Sequence, residues 1–110
     1  MSADFSDDYS FRFIRIFGNT PRIKILEFFV YLYDKTGKQP WSYISQLSRL
    51  LKLSKSSVKK VIDSLIYENI LIEKKIETHA KHPKRNISIK TNKPIVLELL
   101  EFYRKIKHLS

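Results

Sequence analysis

Two clusters of basic and hydroxyl side chains are the parts of this sequence best suited to bind a ligand. The first lies on one face of a predicted helix between Ser54 and Asn69 and comprises Lys55, Ser56, Ser57, Lys59 and Lys60. The second follows a β-prone stretch and comprises Lys81, Lys84 and Arg85. Ammonium, guanidinium and hydroxyl groups donate hydrogen bonds to phosphates and base edges, so both clusters predict contacts with nucleic acid. A merely solvated surface is the alternative for each.

The overall charge of the chain agrees with a polyanionic partner. The 110 residues include 21 Lys and Arg against 11 Asp and Glu, a formal net charge of +10. Seven of these ten charges fall between Lys52 and Lys93, whereas the first eight residues contain three aspartates and no basic residue. A domain this basic usually binds nucleic acid or an anionic membrane surface. The uneven distribution predicts one binding face and a separate acidic end.

Other chemistries have little support in the sequence. There is no cysteine, so disulfides and cysteine-ligated zinc are excluded. His79 and His82 have the spacing of half a metal site, but only His108 remains as a further soft ligand, and we expect no metal. Glu98 and Glu101 are most simply solvated on a helix surface. No Ser/His/Asp set and no glycine-rich loop is present, so we expect neither an enzyme nor a cofactor.

The sequence also predicts where the protein is found. Its opening, MSADFSDDYS, is acidic and polar, unlike a signal peptide. No apolar run approaches the ~20 residues of a membrane span, so we expect no membrane partner and a cytoplasmic, nucleoid-associated protein. Richness in lysine and isoleucine without cysteine would suit an archaeal or AT-rich genome, or one of its viruses or plasmids.

Apolar periodicity and capping residues predict the elements that position the two clusters. We expect a short helix ending at Gly18, a helix from Pro21 to about Lys35 and a short strand near Trp41. Further along, we expect helices at 44–51 and 54–69, strands at 70–78 and 85–90, and a helix at 94–108. The fold class is therefore mainly α with a small β-hairpin. Phe28, Phe29 and Trp41 are predicted core residues.

Two segments of the chain resemble a known family. FGNTPRIKIL (17–26) is similar to the opening of ArsR/MarR/PadR-like winged helix regulators, and LSRLLKLSKSSVKKVIDSLIYENILIEKK (47–75) is similar to their central motif. The resemblance covers roughly residues 17–90 and implies a winged helix-turn-helix fold with an added C-terminal helix. We therefore expect an acidic tail (1–10), a DNA-binding winged helix domain (11–91) and a dimerisation element (92–110).

The resemblance assigns roles to the two clusters. The helix at 54–69 becomes the recognition helix, and the segment with Lys81, Lys84 and Arg85 becomes a wing that reaches the DNA backbone or the minor groove. One position departs from the family pattern, because the turn between the two helices usually carries glycine and here carries Lys52. Either the turn is built differently or Lys52 is placed to contact phosphate; a positive φ at such a residue costs about 1 kcal/mol.

The C-terminal helix has an unusually wide apolar stripe. Its predicted contact residues for a second copy of the chain are Ile95, Leu99, Phe102, Tyr103, Ile106 and Leu109. One part of such a stripe can cover its own domain while the rest packs on a partner, and related regulators commonly dimerise through terminal helices. A helix that only closes the monomer core is the alternative.

The leading hypothesis is a homodimeric transcriptional regulator that binds double-stranded DNA at an inverted repeat. A second hypothesis is an architectural or DNA-coating protein, such as a plasmid-partition adaptor. A third is a protein-interaction winged helix in a transcription or replication complex, which the basic stretch from Lys52 to Lys93 disfavours. RNA is a less favoured ligand because the deep, narrow major groove of A-form RNA excludes a helix.

Overall fold

Helices dominate the structure, a computed structural model that describes residues 12–76 and 84–109. In chain order its elements are α1 (Arg12–Phe17), α2 (Pro21–Thr36), β1 (Trp41–Tyr43), α3 (Ile44–Leu51), α4 (Lys55–Tyr67), β2 (Leu71–Ile76), β3 (Lys84–Ile89) and α5 (Pro94–Leu109). The strands form one antiparallel sheet in the order β1-β3-β2. The predicted mainly α class with a small β-hairpin is confirmed. Within the two described ranges, no helix is long and apolar enough to cross a bilayer.

The helix ends follow from the capping residues in the sequence. The Thr20 hydroxyl accepts a hydrogen bond from the Ile23 N–H at 3.2 Å, and Pro21 occupies the first position of α2. The same helix ends at Gly37, whose φ of 70° lets its N–H donate to the Tyr33 carbonyl at 2.9 Å. A side-chain cap and a proline fix the start of α2, and a left-handed glycine fixes its end.

Strand β3 is central, and its alternating side chains give the sheet two different faces. Ile87 and Ile89 point towards the helices, and Ile89 lies opposite Leu71 of β2. The opposite surface, here called the outer sheet face, comprises Trp41, Tyr43, Ile72, Lys74, Lys84, Asn86 and Ser88. One face therefore closes the core, and the other carries aromatic and basic side chains.

The core is formed by apolar side chains from every helix together with the inner sheet face. Its buried members are Phe13, Ile25, Phe28, Phe29, Val30, Ile44, Leu47, Leu51, Val58, Ile62, Leu65, Leu71, Ile87, Ile89, Val96, Leu100 and Tyr103. Phe28 and Phe29 are buried as predicted. The prediction for Trp41 was wrong: it is half-buried and lies on the outer sheet face, because its position in β1 puts it beside Ser88 and not beside Ile87.

A buried glutamate joins α1 to α2. Glu27 has no exposed surface, and its carboxylate accepts the backbone N–H groups of Phe13 at 2.7 Å and Ile14 at 3.1 Å. These are among the N–H groups that a helix start leaves without an internal partner. Burial raises the pKa of Glu27 to about 7, although the backbone hydrogen bonds act in the opposite direction. A single side chain thus caps α1 from the middle of another helix.

Helix α5 belongs to the same core. Val96, Leu100 and Tyr103 are buried, and Tyr103 contacts the Phe13 ring edge-on with centroids 5.5 Å apart. At the surface, Asp34 of α2 accepts hydrogen bonds from Arg104 at 2.8 Å and Lys107 at 2.5 Å. Burial alone would raise the pKa of Asp34, but these two cations lower it overall. The C-terminal helix is therefore fixed to α1 and α2.

The raised pKa of Glu27 makes a prediction about stability and pH. The folded state binds this proton more tightly than the unfolded chain, so the contribution of Glu27 to stability decreases as pH rises from about 4.5 to about 7. The rise from 4.5 to about 7 corresponds to a difference of about 3–4 kcal/mol at ~1.4 kcal/mol per pKa unit. Urea unfolding between pH 5 and 8 should show the unmodified protein losing stability relative to Glu27→Gln. A difference that is constant across this range would contradict the assignment.

Candidate functional site

A cleft of about 480 Å³ lies between α3, the first turns of α4 and the β2–β3 pair. Five of the eight side chains that line it are basic; its lining is Tyr43, Ile44, Ser45, Lys55, Lys59, Lys75, Lys84 and Arg85. This basic cleft brings together the two clusters that the sequence analysis selected separately. Lys55 and Lys59 come from the first cluster, and Lys84 and Arg85 from the second.

Helix α4 presents two of these lysines because of its cap and its periodicity. The Ser54 hydroxyl accepts the Ser57 N–H at 3.2 Å and fixes the helix start. Val58 is buried, so Lys55 and Lys59, four residues apart, share the exposed face above the cleft. The positive end of the helix dipole adds to the positive potential there.

The other predicted residues of the recognition helix do not line the cleft. Ser56 and Lys60 are exposed elsewhere on α4. Ser57 is half-buried, and its hydroxyl accepts a hydrogen bond from the Ser54 hydroxyl at 2.9 Å. Ser57 is therefore part of the helix cap.

The turn before α4 keeps the left-handed backbone expected of glycine, with lysine in that position. Lys52 has φ 56° and ψ 50°, is exposed, and does not line the cleft. Its neighbours receive hydrogen bonds that offset the strain: Lys24 donates to the Leu51 carbonyl at 3.2 Å, and Ser48 donates to the Leu53 carbonyl at 2.5 Å. The turn is therefore not built differently from one with glycine, and a phosphate contact of Lys52 stays a prediction.

Arg85 joins the hairpin to α4. Its guanidinium contacts both carboxylate oxygens of Glu73 on β2, at 2.7 and 3.1 Å, and one oxygen of Asp63 on α4, at 2.6 Å. The pKa of Arg85 is raised, chiefly by the hydrogen bonds to Glu73, and burial is outweighed. Arg85 thus holds the angle between α4 and the β2–β3 pair, and its own charge is largely compensated.

The cleft nevertheless keeps a strong positive charge. Lys55, Lys59 and Lys75 have no ion-pair partner within residues 12–76 and 84–109, and Lys84 contacts only the Tyr43 ring there, at 5.5 Å from its centroid. Four ammonium groups around one cleft repel each other, so an anion bound between them would be stabilised. The arrangement is suited to phosphate groups of a polyanion.

The sequence analysis did not select some residues of the cleft, and some residues that it did select lie outside the part of the chain that the structure describes. Lys75 was counted as basic but not assigned to the site; its position directly across from Arg85 in the strand register is the signal that could have found it. Tyr43 and Ser45 carried no such signal. Lys81, His79 and His82 fall at 77–83, outside the described residues. Elsewhere in the described chain, no group of three or more His, Asp or Glu side chains could hold a metal ion.

The predicted dimer residues of α5 divide into two groups. Tyr103 is only 1% exposed, and Leu99 and Ile106 are half-buried against the core of their own chain. Ile95 and Phe102 are 51% and 38% exposed. The Leu109 side chain is not among those that the structure describes. Phe17 of α1, 54% exposed, extends the apolar surface, since its ring lies 6.1 Å from that of Phe102.

Comparison with known proteins gives no match to a protein-family model, to a curated protein or to a solved structure. The function of this chain must therefore be inferred from its own residues and contacts.

The Arg85 contacts predict unequal coupling energies in double-mutant cycles. Glu73 is 17% exposed and binds the guanidinium through two oxygens, whereas Asp63 is 63% exposed and uses one. Cycles of Arg85→Met with Glu73→Gln should give a coupling of about 1–2 kcal/mol in urea unfolding. The matched cycle with Asp63→Asn should give less than about 0.5 kcal/mol, because solvent screens an exposed pair. Equal coupling energies would show that Arg85 is held no more strongly by Glu73 than by Asp63.

Proposed function

We propose that this protein binds double-stranded DNA through α4 and the β2–β3 hairpin and acts as a homodimeric, sequence-specific transcriptional regulator. The observation that carries the proposal is the basic cleft, where four lysines without ion-pair partners in the described chain come from three elements, α4, β2 and β3. Each is a donor to phosphate oxygens, and such contacts provide most of the affinity of a protein for DNA.

The shape of the site supports a duplex as the ligand. The major groove of B-DNA is about 12 Å wide and accepts one α-helix. Helix α4 exposes its polar face and buries the opposite one against α2 and the sheet, so it can enter a groove without losing core contacts. The order of helices and strands, with a hairpin after α4, supports a winged helix-turn-helix arrangement with the hairpin beside the groove.

A homodimer is the second part of the proposal. One recognition helix reads only a few base pairs, which is too little to select a site in a genome. Three exposed apolar side chains on α1 and α5, Phe17, Ile95 and Phe102, provide a surface on which a second copy can pack. Two copies of α4 would then lie in successive major grooves about 34 Å apart, and the operator would be an inverted repeat.

The contribution of the cleft lysines can be tested by salt titration of duplex binding. With two to four phosphates neutralised per chain, log Kd should rise with log salt with a slope of about 4–8 for a dimer. Lys59→Ala and Lys84→Ala should each weaken binding and reduce this slope by about 1 per chain. Lys105→Ala is the matched control, because Lys105 is exposed on α5 and does not line the cleft.

Two results would contradict the proposal that duplex DNA binds in this cleft. One is a salt slope near zero, and the other is a loss of affinity in Lys105→Ala equal to that in Lys59→Ala. Footprinting adds a test of the regulator role: a compact protected palindrome supports it, whereas protection that spreads along the DNA would indicate a coating protein.

The dimer surface can be tested by charge substitution. Phe17→Glu combined with Phe102→Glu replaces two adjacent rings by two carboxylates, which should give a folded monomer with much weaker binding to an inverted repeat. Sedimentation velocity at micromolar concentration measures the change, and far-UV circular dichroism checks the fold. Tyr67→Glu is the control for the sedimentation measurement, since Tyr67 is 84% exposed and belongs to α4, not to α1 or α5. An unmodified protein that sediments as a monomer and protects a single site would contradict the dimer.

A further inference from the structure

The outer sheet face carries two aromatic rings and two lysines in register. Tyr43 lies opposite Asn86, which in turn lies opposite Lys74 of β2, and Trp41 lies opposite Ser88 in the next row. Both rings are half-buried, so each packs on the sheet with one side and leaves part of its surface accessible. Aromatic side chains on an open sheet are a common platform for the unpaired bases of nucleic acids.

Each ring is covered by a lysine in the free protein. The Lys74 ammonium lies 4.7 Å from the centroid of Trp41, and the Lys84 ammonium lies 5.5 Å from the centroid of Tyr43. Exposed cation–π contacts of this kind are weaker than the stacking of a base on an aromatic ring. A nucleic acid strand can therefore displace both ammonium groups from the rings and provide phosphates for them nearby.

The charge of this face is complementary to a polyanion. None of its described residues is acidic, and the nearest acid on β2, Glu73, lies on the inner side of the sheet, where it binds Arg85. A protein partner with an apolar patch would have to cover two lysines without pairing them, which is costly. A strand of nucleotides pairs them and stacks on the rings at the same time.

A polar atom on the same face lacks a partner. Asn86 Oδ1 is buried and accepts no hydrogen bond from any described residue, and in the strand register Asn86 lies between Tyr43 and Lys74. Buried acceptors without a donor are rare, so Asn86 Oδ1 can accept a hydrogen bond from a bound ligand. Once Lys74 moves off Trp41, an amino group of a base, or the lysine itself, can donate to it.

We infer that the outer sheet face is a second nucleic-acid site, specific for single strands, on which two successive bases stack on Trp41 and Tyr43. Alternate residues of a strand are about 6.6 Å apart, which suits the bases of an extended single strand. Bases in a duplex are 3.4 Å apart along each strand and already stacked on both sides, so they cannot use these rings. Tyr43 and Lys84 also line the basic cleft, which makes the two sites adjacent.

Trp41 is the only tryptophan in the chain, so its fluorescence reports directly on this face. Titration with a twelve-nucleotide oligothymidylate should quench it to saturation, and a blunt duplex of the same length should not. With a labelled oligothymidylate in fluorescence anisotropy, Trp41→Leu should raise Kd about tenfold, the loss expected for one stacked base. Trp41→Phe should retain most of the affinity, which separates loss of stacking from loss of folding.

Duplex binding in the same variants distinguishes this site from the cleft. Trp41→Leu and Lys74→Ala should both weaken binding of the single strand. Trp41 lies on β1 and does not line the cleft, so Trp41→Leu should leave duplex affinity unchanged. Tyr67→Leu, on the highly exposed Tyr67, is the control for a general effect of aromatic side chains. The inference is overturned if oligothymidylate binds Trp41→Leu and Lys74→Ala as tightly as the unmodified protein, or if the duplex quenches Trp41 equally. A protein that binds no duplex but passes these tests would retain this site and lose only the proposed regulator role.

Discussion

The three-way contact among Arg85, Glu73 and Asp63 is the interaction on which the basic cleft depends. Four lysines approach each other across that cleft, and their repulsion would push the hairpin away from α4. Arg85 opposes this opening because it is bound to β2 on one side and to α4 on the other. The two carboxylates also keep Arg85 itself from adding a fifth uncompensated charge. A cleft of positive charge is thus held in shape by two carboxylates of the chain itself.

The elements of this fold could be predicted from the sequence because the determining signals are local. Thr20 with Pro21, Ser54, and Gly37 mark helix ends by hydrogen bonds that each residue makes within a few positions. The lysines of α4 and of the hairpin were also found, since charge and helical periodicity are visible without a structure. The proposed recognition surface is accordingly the part of the candidate site that the sequence described best.

What the sequence could not reveal depends on which residues meet across the fold. Arg85 was predicted to contact DNA, and only the strand register together with the position of α4 places it between two carboxylates. Tyr103 belongs to the same apolar stripe as Phe102, yet it is buried against α1 while Phe102 remains partly exposed. Trp41 was expected in the core because of apolar periodicity, whereas the alternation of a three-residue strand assigns it to the other face.

The contact between the first and last helices has a practical consequence for handling the protein. Phe13, near the start of α1, touches both Phe102 and Tyr103 of α5, so the first and last described helices meet on one side of the molecule. None of the cleft residues comes from either helix. A fluorescent label attached to α1 or α5 beside Phe17 and Phe102 would therefore crowd that surface first. Protein labelled there would be a poor sample for measuring self-association and a suitable one for studying the cleft.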